Sequence, residues 1–283
     1  MRLTAKILIL LYLLILSACT PLPKQVQVST TRTYIAEPDQ WDFSLQAPAF
    51  MVTSAEKPYN RIGTPHVHLN DDKKEVVVDP NQPTIYARKA AFKTAHGSYT
   101  NLIYRVHFEK VPFWHLGWGK NIGLIVVVTL NTLGQPVLYT TVHTCGCYLA
   151  FVPTSTLRDT AYPKEWDHDR QVVYGEELPG MLDFDGTTPQ QSQLLLMIRG
   201  ETHRVMNMSL IDRSALSADD LTVTPIAPLA TLENLSLSDK KTTSFFETTG
   251  SRQDYVKNSQ KPWERLLMGW WAFDLRVGED KRL

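Results

Sequence analysis

Apolar and polar residues alternate through much of the middle of the chain, as in β-strands that have one covered face. Residues 102–108 follow this alternation, and residues 75–78 form a shorter, valine-rich run. The clearest pair of strands is 122–130 with 136–144, because the segment between them carries the Asn and Gly that hairpin loops favour. We therefore expect a sheet built largely from antiparallel neighbours.

A second hairpin is predicted from residues 193–198 and 203–211, which flank Gly200. Two helices are predicted as well. Residues 83–95 are rich in Ala, and residues 262–277 have Pro262 at their first position and Gly278 just beyond their end. The pattern as a whole predicts an α+β fold, with a largely antiparallel sheet, a few peripheral helices and an apolar C-terminal helix.

The predicted C-terminal helix is apolar around more than half of its circumference, and a narrow stripe through Arg265, Gly269 and Arg276 separates the edges of this face. Burial against the body is the favoured interpretation, and docking on a partner or on a membrane is the alternative. Asp274 falls within the apolar sector and should therefore have a cationic or hydrogen-bonding partner.

A loop at residues 112–119 is dense in aromatic residues and glycine. We expect its aromatic side chains to fold back over the core. The alternatives are that the loop forms the rim of a ligand site or dips into a membrane interface.

The composition indicates a globular protein, with 43% hydrophobic and 20% charged residues. Its 29 basic and 29 acidic side chains balance, so no electrostatic footprint for nucleic acid or for an anionic membrane is present. The chain has only three cysteines. Because an exported domain that depends on disulfide bonds would carry more, we expect the fold to be held together by its core.

The N-terminus combines Arg2 and Lys6 with an unbroken apolar run, followed by Leu16-Ser17-Ala18-Cys19. The run is too short to span a bilayer. The pattern resembles a bacterial lipoprotein signal, which implies that Cys19 becomes the lipid-bearing first residue of the mature chain. Because Thr20, not Asp, follows the cysteine, the resemblance implies the inner leaflet of the outer membrane, with the body facing the periplasm. An ordinary secretory signal or an uncleaved anchor is the alternative.

This interpretation divides the chain into three parts. Residues 1–18 form the signal peptide, 19–40 a flexible tether rich in Pro, Thr, Ser and Gln, and 41–283 a single globular β-rich domain.

The candidate chemistry lies in His143-Thr144-Cys145-Gly146-Cys147, directly after the second strand of the best hairpin. If the strand continued, His143, Cys145 and Cys147 would share one face, because alternate residues of a strand point the same way. An imidazole and two thiols suit a soft metal ion, copper or zinc, and His66 and His68 could complete the ligand set.

The same cysteines permit two other interpretations. A disulfide across so short a loop would stabilise the fold only slightly. It would be easily reduced, however, and so suited to thiol–disulfide exchange. Alternatively, both thiols pack as small apolar side chains beside a hydrogen-bonded histidine.

No catalytic nucleophile–base pair, P-loop or dinucleotide motif is recognisable, so an enzymatic activity is not assigned. The sequence favours a membrane-anchored accessory protein that binds or scaffolds an envelope protein partner, without nucleic acid. The alternative is a metal-binding or thiol-redox protein that uses the His-x-Cys-Gly-Cys segment.

Overall fold

The computed structural model of the protein describes residues 30–38, 43–70, 73–184, 191–216, 221–238, 241–274 and 276–282. Cys19 and the predicted signal peptide lie outside these ranges. Strands far outnumber helices in the described part of the chain, which confirms the prediction of a sheet-rich fold. None of the helices found there is long and apolar enough to cross a membrane.

The first nine strands are β1 (Thr31–Ala36), β2 (Ala49–Thr53), β3 (Thr64–Asn70), β4 (Lys73–Asp79), β5 (Ile85–Thr94), β6 (Gly97–Val111), β7 (Gly119–Leu130), β8 (Pro136–His143) and β9 (Ala150–Pro153). They are followed by β10 (Arg170–Val173), β11 (Glu176–Pro179), β12 (Ser192–Ile198), β13 (Val205–Asp212), β14 (Leu221–Thr224), β15 (Ile226–Pro228), β16 (Leu235–Ser238) and β17 (Lys241–Thr243).

A six-stranded sheet has the order β15-β5-β6-β7-β8-β9, and β5 to β9 form an antiparallel meander. The predicted β7–β8 hairpin is confirmed. Its loop is closed by Asn131, whose Oδ1 accepts hydrogen bonds from the backbone N–H groups of Leu133 and Gln135. Gly134 has a φ of +74°, which explains why glycine stands there.

A five-stranded mixed sheet has the order β13-β12-β2-β1-β14 and contains the second predicted hairpin, β12–β13. The apolar faces of the two sheets form one core, in which Phe50 and Leu196 of the mixed sheet belong to the same cluster as Tyr104, Val106 and Leu124 of the meander. Each such side chain contributes roughly 1.5–3 kcal/mol by its burial. The meander, which carries the cysteine segment between β8 and β9, is therefore firmly supported.

A smaller apolar cluster joins the β3–β4 hairpin to the C-terminal part of the chain. Phe245, Phe246 and Val256 pack there with Val76 and Tyr86. This cluster brings the last forty residues of the described chain onto the outside of the meander, close to the end of β8.

Helical elements are short. The α-helices are α1 (Phe43–Gln46), α2 (Pro262–Glu264) and α3 (Trp270–Ala272), and a π-helical turn (Arg265–Gly269) lies between α2 and α3. Single 3-10 turns occupy Pro58–Asn60, Asp159–Ala161, Arg213–Ala215, Leu229–Glu233 and Gly250–Arg252.

Two predictions about the first hundred residues are wrong. Residues 83–95 are not a helix, because β5 pairs along its whole length with β6 and this pairing outweighs the helix propensity of its alanines. The tether predicted for 19–40 is too long, since β1 lies within it. Tyr34 is buried in the core, and β1 pairs with both β2 and β14.

The predicted C-terminal helix is also incorrect in length and orientation. The helical turns end at Ala272, because Phe273 has a left-handed backbone with a φ of 50°. The inner side of these helical turns carries the buried residues Glu264 and Gly269. Gly269 belongs to the narrow stripe opposite the apolar face, so this part of the stripe lies against the body and not in solvent. Asp274 has its expected partner, Arg276, at 2.9 Å, but this pair lies at the surface.

The side that was expected to be buried is exposed, and so is the aromatic loop. Trp263 joins the two, because its Nε1 donates to the carbonyl oxygen of Phe113 at 2.9 Å and its ring lies 6.0 Å from that of Trp118. We call the exposed side chains of both segments the aromatic surface; it comprises Phe113, Trp114, Leu116, Trp263, Leu266, Leu267, Met268, Trp270, Trp271 and Phe273.

Candidate functional site

The cysteine segment forms a tight turn at the end of β8. The backbone N–H of Gly146 donates to the carbonyl oxygen of His143 at 2.7 Å, and the N–H of His143 donates to that of Cys147 at 2.9 Å. Gly146 has a φ of +88°, which favours glycine. The expectation of a continuing strand is therefore wrong, but the turn brings the two thiols together.

The two thiols differ in exposure. Cys145 is buried, Cys147 is half-buried, and neither forms a disulfide bond in the described part of the chain. A hydrogen bond from the Cys147 thiol, together with the neighbouring His143 and Lys261, holds the pKa of Cys145 well below its ordinary value. The same contact and burial raise the pKa of Cys147. The lower pKa therefore belongs to the buried Cys145 and the higher pKa to the more accessible Cys147.

His143 is held in a defined orientation beside Cys145. Its Nε2 donates to the carbonyl oxygen of His203 at 2.9 Å, since a carbonyl can only accept, and this leaves Nδ1 available to the thiol group. The ring of Tyr148 packs edge-on against the imidazole at 4.7 Å between centroids. A base fixed by a third group beside a sulfur is an arrangement that activates thiols.

Lys261 supplies the positive charge of the site. It is only 3% exposed, it hydrogen-bonds to Cys145, and its Nζ lies 3.8 Å from Oδ2 of the fully buried Asp280. Burial opposes the charged form of this lysine, but Asp280 and Cys145 raise its pKa above the ordinary value. The ammonium group thus stays charged between two anions.

Asp280 is placed by Thr144, whose hydroxyl donates to Oδ1 of the carboxylate. Burial raises the pKa of Asp280 to about 6, although Lys261 acts in the opposite direction. Burial also raises the pKa of Glu264, which lines the same small cavity as Cys145. The carboxyl group of Asp280 can therefore hold a proton close to neutral pH.

A second buried cation fixes the end of the chain behind this cluster. Arg105 is 1% exposed; its Nη1 donates to the carbonyl oxygen of Arg282 at 2.6 Å, and its Nε donates to Nε2 of His107 at 2.9 Å. Burial lowers the pKa of Arg105 to about 9 and that of His107 well below its ordinary value. The C-terminal segment is thereby held against β6, where it presents Asp280.

Cys145 lies in a small cavity beside an open cleft. Cys145, His143 and Lys261 line a cavity of about 20 Å³, which is room for a single water molecule. Next to it lies a cleft of about 520 Å³ that is lined by polar side chains, among them Arg199 and Arg204. Gly117, Tyr148 and Thr202 border both spaces, so these residues lie between the cavity of Cys145 and the cleft.

His66 and His68 do not join this site. Both belong to the β3–β4 hairpin, where they lie opposite Val77 and Glu75. Within the described ranges, no three His, Cys, Asp or Glu side chains are arranged to hold a metal ion. The structure brings His143, Cys145 and Cys147 together and leaves the other two histidines apart.

Sequence reasoning missed Lys261, Glu264 and Asp280. More than a hundred residues separate each of them from Cys145, and no spacing pattern connects them. The one available signal was indirect, because a cysteine flanked by histidine and glycine suggests an activated thiol, and such a thiol needs a cation nearby.

No protein-family model matches the chain, and no curated protein or solved structure matches it.

Proposed function

We propose that this protein is a lipid-anchored, periplasm-facing envelope protein that donates disulfide bonds through Cys145 and Cys147. The anchor follows from the resemblance of the first nineteen residues to a lipoprotein signal. The redox role is supported by one observation above all. The buried Cys145, whose pKa is lowered by a hydrogen bond from Cys147 and by His143 and Lys261, lies in contact with the more exposed sulfur of Cys147.

This asymmetry suits the oxidised pair as a reagent. A thiolate of a partner protein would attack the accessible Cys147 sulfur, and the Cys145–Cys147 bond would break with Cys145 leaving as thiolate. Exchange is fastest when the leaving sulfur has the lower pKa. A second partner thiol then attacks the mixed disulfide at the partner's sulfur, and Cys147 is released and takes up that thiol's proton. The partner loses two electrons, the pair gains them, and another disulfide of the envelope must reoxidise it.

The reduced pair should be stabilised by Lys261, which makes the disulfide oxidising. We expect a reduction potential of about −180 to −120 mV, the range of proteins that form or rearrange disulfides. The measurement uses the mature chain from residue 19 with Cys19→Ser, equilibrated in glutathione buffers, alkylated and weighed by mass spectrometry. Cys147→Ser is the matched control, because it keeps Cys145 and abolishes the bond.

A pair that stays reduced at every glutathione ratio, or a disulfide below about −270 mV, would contradict the proposal. Elemental analysis of the same sample tests the metal hypothesis. A stoichiometric copper or zinc ion that is lost in Cys145→Ser would replace the redox function with a metal site.

An accessory binding role is a second candidate. The aromatic surface supports it, because soluble domains rarely expose so many adjacent large apolar side chains. The two roles are compatible, since a disulfide donor must also be positioned near the proteins it serves.

A further inference from the structure

The aromatic surface has the composition of a membrane-interface element. Trp270 is 70% exposed, Trp271 76% and Phe273 95%, and Phe113 and Trp114 of the neighbouring loop are 63% and 58% exposed. Tryptophan and phenylalanine beside leucine are typical of segments that lie in the headgroup region, where an amphipathic ring meets both water and hydrocarbon.

The start of the described chain is linked to this surface by a series of side-chain contacts. The hydroxyl group of Thr30 donates a hydrogen bond to Oε2 of Glu56 at 2.8 Å. Lys57, which follows Glu56 in the chain, forms an ion pair with Glu201 at 2.7 Å. Glu201 in turn accepts a hydrogen bond from Trp114 Nε1 at 3.3 Å. A short series of contacts therefore connects the point where the lipid-bearing segment enters the fold to the aromatic loop.

The length of chain before Thr30 limits how far the body can lie from an anchored lipid. From Cys19 to Thr30 the chain spans at most about 40 Å when fully extended. With a lipid on Cys19, Thr30 would lie within about 40 Å of the bilayer, so the aromatic surface could reach the bilayer. This orientation rests on the anchor proposed above.

We propose that the aromatic surface inserts into the interfacial layer of a lipid bilayer and holds the adjoining cleft, which Leu116 lines, at the membrane surface. The binding is apolar and does not depend on charge. Arg276 is paired with Asp274 at 2.9 Å, and Arg265 donates to Oε1 of Gln260 at 3.1 Å, so these guanidinium groups already have partners in the protein.

The test uses the mature chain from residue 19 with Cys19→Ser, which keeps every described residue but cannot be lipidated. Co-sedimentation is measured with vesicles of phosphatidylethanolamine and phosphatidylglycerol (about 3:1) and with phosphatidylcholine vesicles, and tryptophan quenching by brominated phosphatidylcholine reports insertion. Trp270→Ser/Trp271→Ser should weaken partitioning at least tenfold and remove the quenching. Leu133→Ser/Val172→Ser is the matched control, because both side chains are at least 70% exposed and lie outside the aromatic surface.

Binding to both kinds of vesicle, within about threefold and without loss in high salt, is the expected result. Binding that requires the anionic lipid and disappears in salt would overturn the inference, as would no binding at all.

Sedimentation equilibrium without vesicles tests whether the aromatic surface instead binds a second copy of the chain. A dimer that the tryptophan substitutions dissociate would assign the surface to a second copy of the chain. Glutathione equilibration of the same variants in solution tests disulfide exchange separately, so the two proposals can fail independently.

Discussion

Lys261→Met removes the one lysine that lies between Cys145 and Asp280, and it tests whether electrostatics sets the chemistry of the thiol pair. The side chain is 3% exposed, and methionine has a similar length without the charge. Loss of a neighbouring cation should raise the pKa of Cys145 by about 1–3 units. Each pKa unit corresponds to about 1.4 kcal/mol, and hence to about 30 mV for a two-electron couple. Because the reduced pair is destabilised by this amount, the reduction potential of the Cys145–Cys147 disulfide should fall by about 30–90 mV.

Stability should change as well, because Asp280 would remain buried without its cation. Removal of one partner of a buried pair costs about 3–5 kcal/mol. The native pKa of Asp280 is about 6, above the value of 3.8 in the unfolded chain. The native state therefore binds the extra proton, and this contribution to stability is lost as the pH rises from about 4 through 6. In Lys261→Met the pKa of Asp280 should rise further, because the neighbouring cation is gone. Stability should therefore continue to fall at higher pH, and the destabilisation should be larger at pH 8 than at pH 5.

Urea unfolding of the reduced protein at both pH values measures the free energy, and the pH dependence of iodoacetamide alkylation measures the thiol pKa. Asp280→Asn is the matched variant and should shift the pKa of Cys145 downward, opposite to Lys261→Met. The double variant should be more stable than Lys261→Met alone, since the buried carboxylate that Lys261→Met leaves without a cation is then absent. An unchanged alkylation profile and potential in a folded Lys261→Met protein would refute the electrostatic argument and leave the lysine a purely structural role.

Three further outcomes are expected. Cys19→Ala should give an unprocessed precursor or a soluble protein in membrane fractionation; normal processing with unchanged membrane association would contradict the lipoprotein signal. Truncation after Lys261 should cause misfolding or proteolysis, because it removes Asp280 and the backbone partner of Arg105, and a cooperative unfolding transition like that of the full chain would show otherwise. Gly278→Ala should lower the free energy of unfolding in urea by at least about 1 kcal/mol, because Gly278 has a φ of +75° and a Cβ there would overlap with Oε2 of Glu264. An unchanged urea midpoint would show that this carboxylate can move away freely.

The local sequence pattern predicted those elements that are stabilised by residues close together along the chain. The β7–β8 hairpin follows from two alternating runs and an Asn-to-Gly loop whose hydrogen bonds lie within five residues. The segment from His143 to Cys147 was likewise recognisable as a candidate site from its spacing. The sequence predicted a continuing strand there, and the turn that brings the two thiols together was found only in the structure.

Tertiary structure decided the rest. Residues 83–95 have helix-forming alanines, but the long partner strand β6 offers more hydrogen bonds and apolar contacts than an isolated helix could. The C-terminal turns bury Lys261, Glu264 and Gly269 and expose their tryptophans, although amphipathicity predicted the reverse. The reason is that Lys261 pairs with the buried Asp280 and hydrogen-bonds to Cys145, and only the fold brings positions 145, 261 and 280 together.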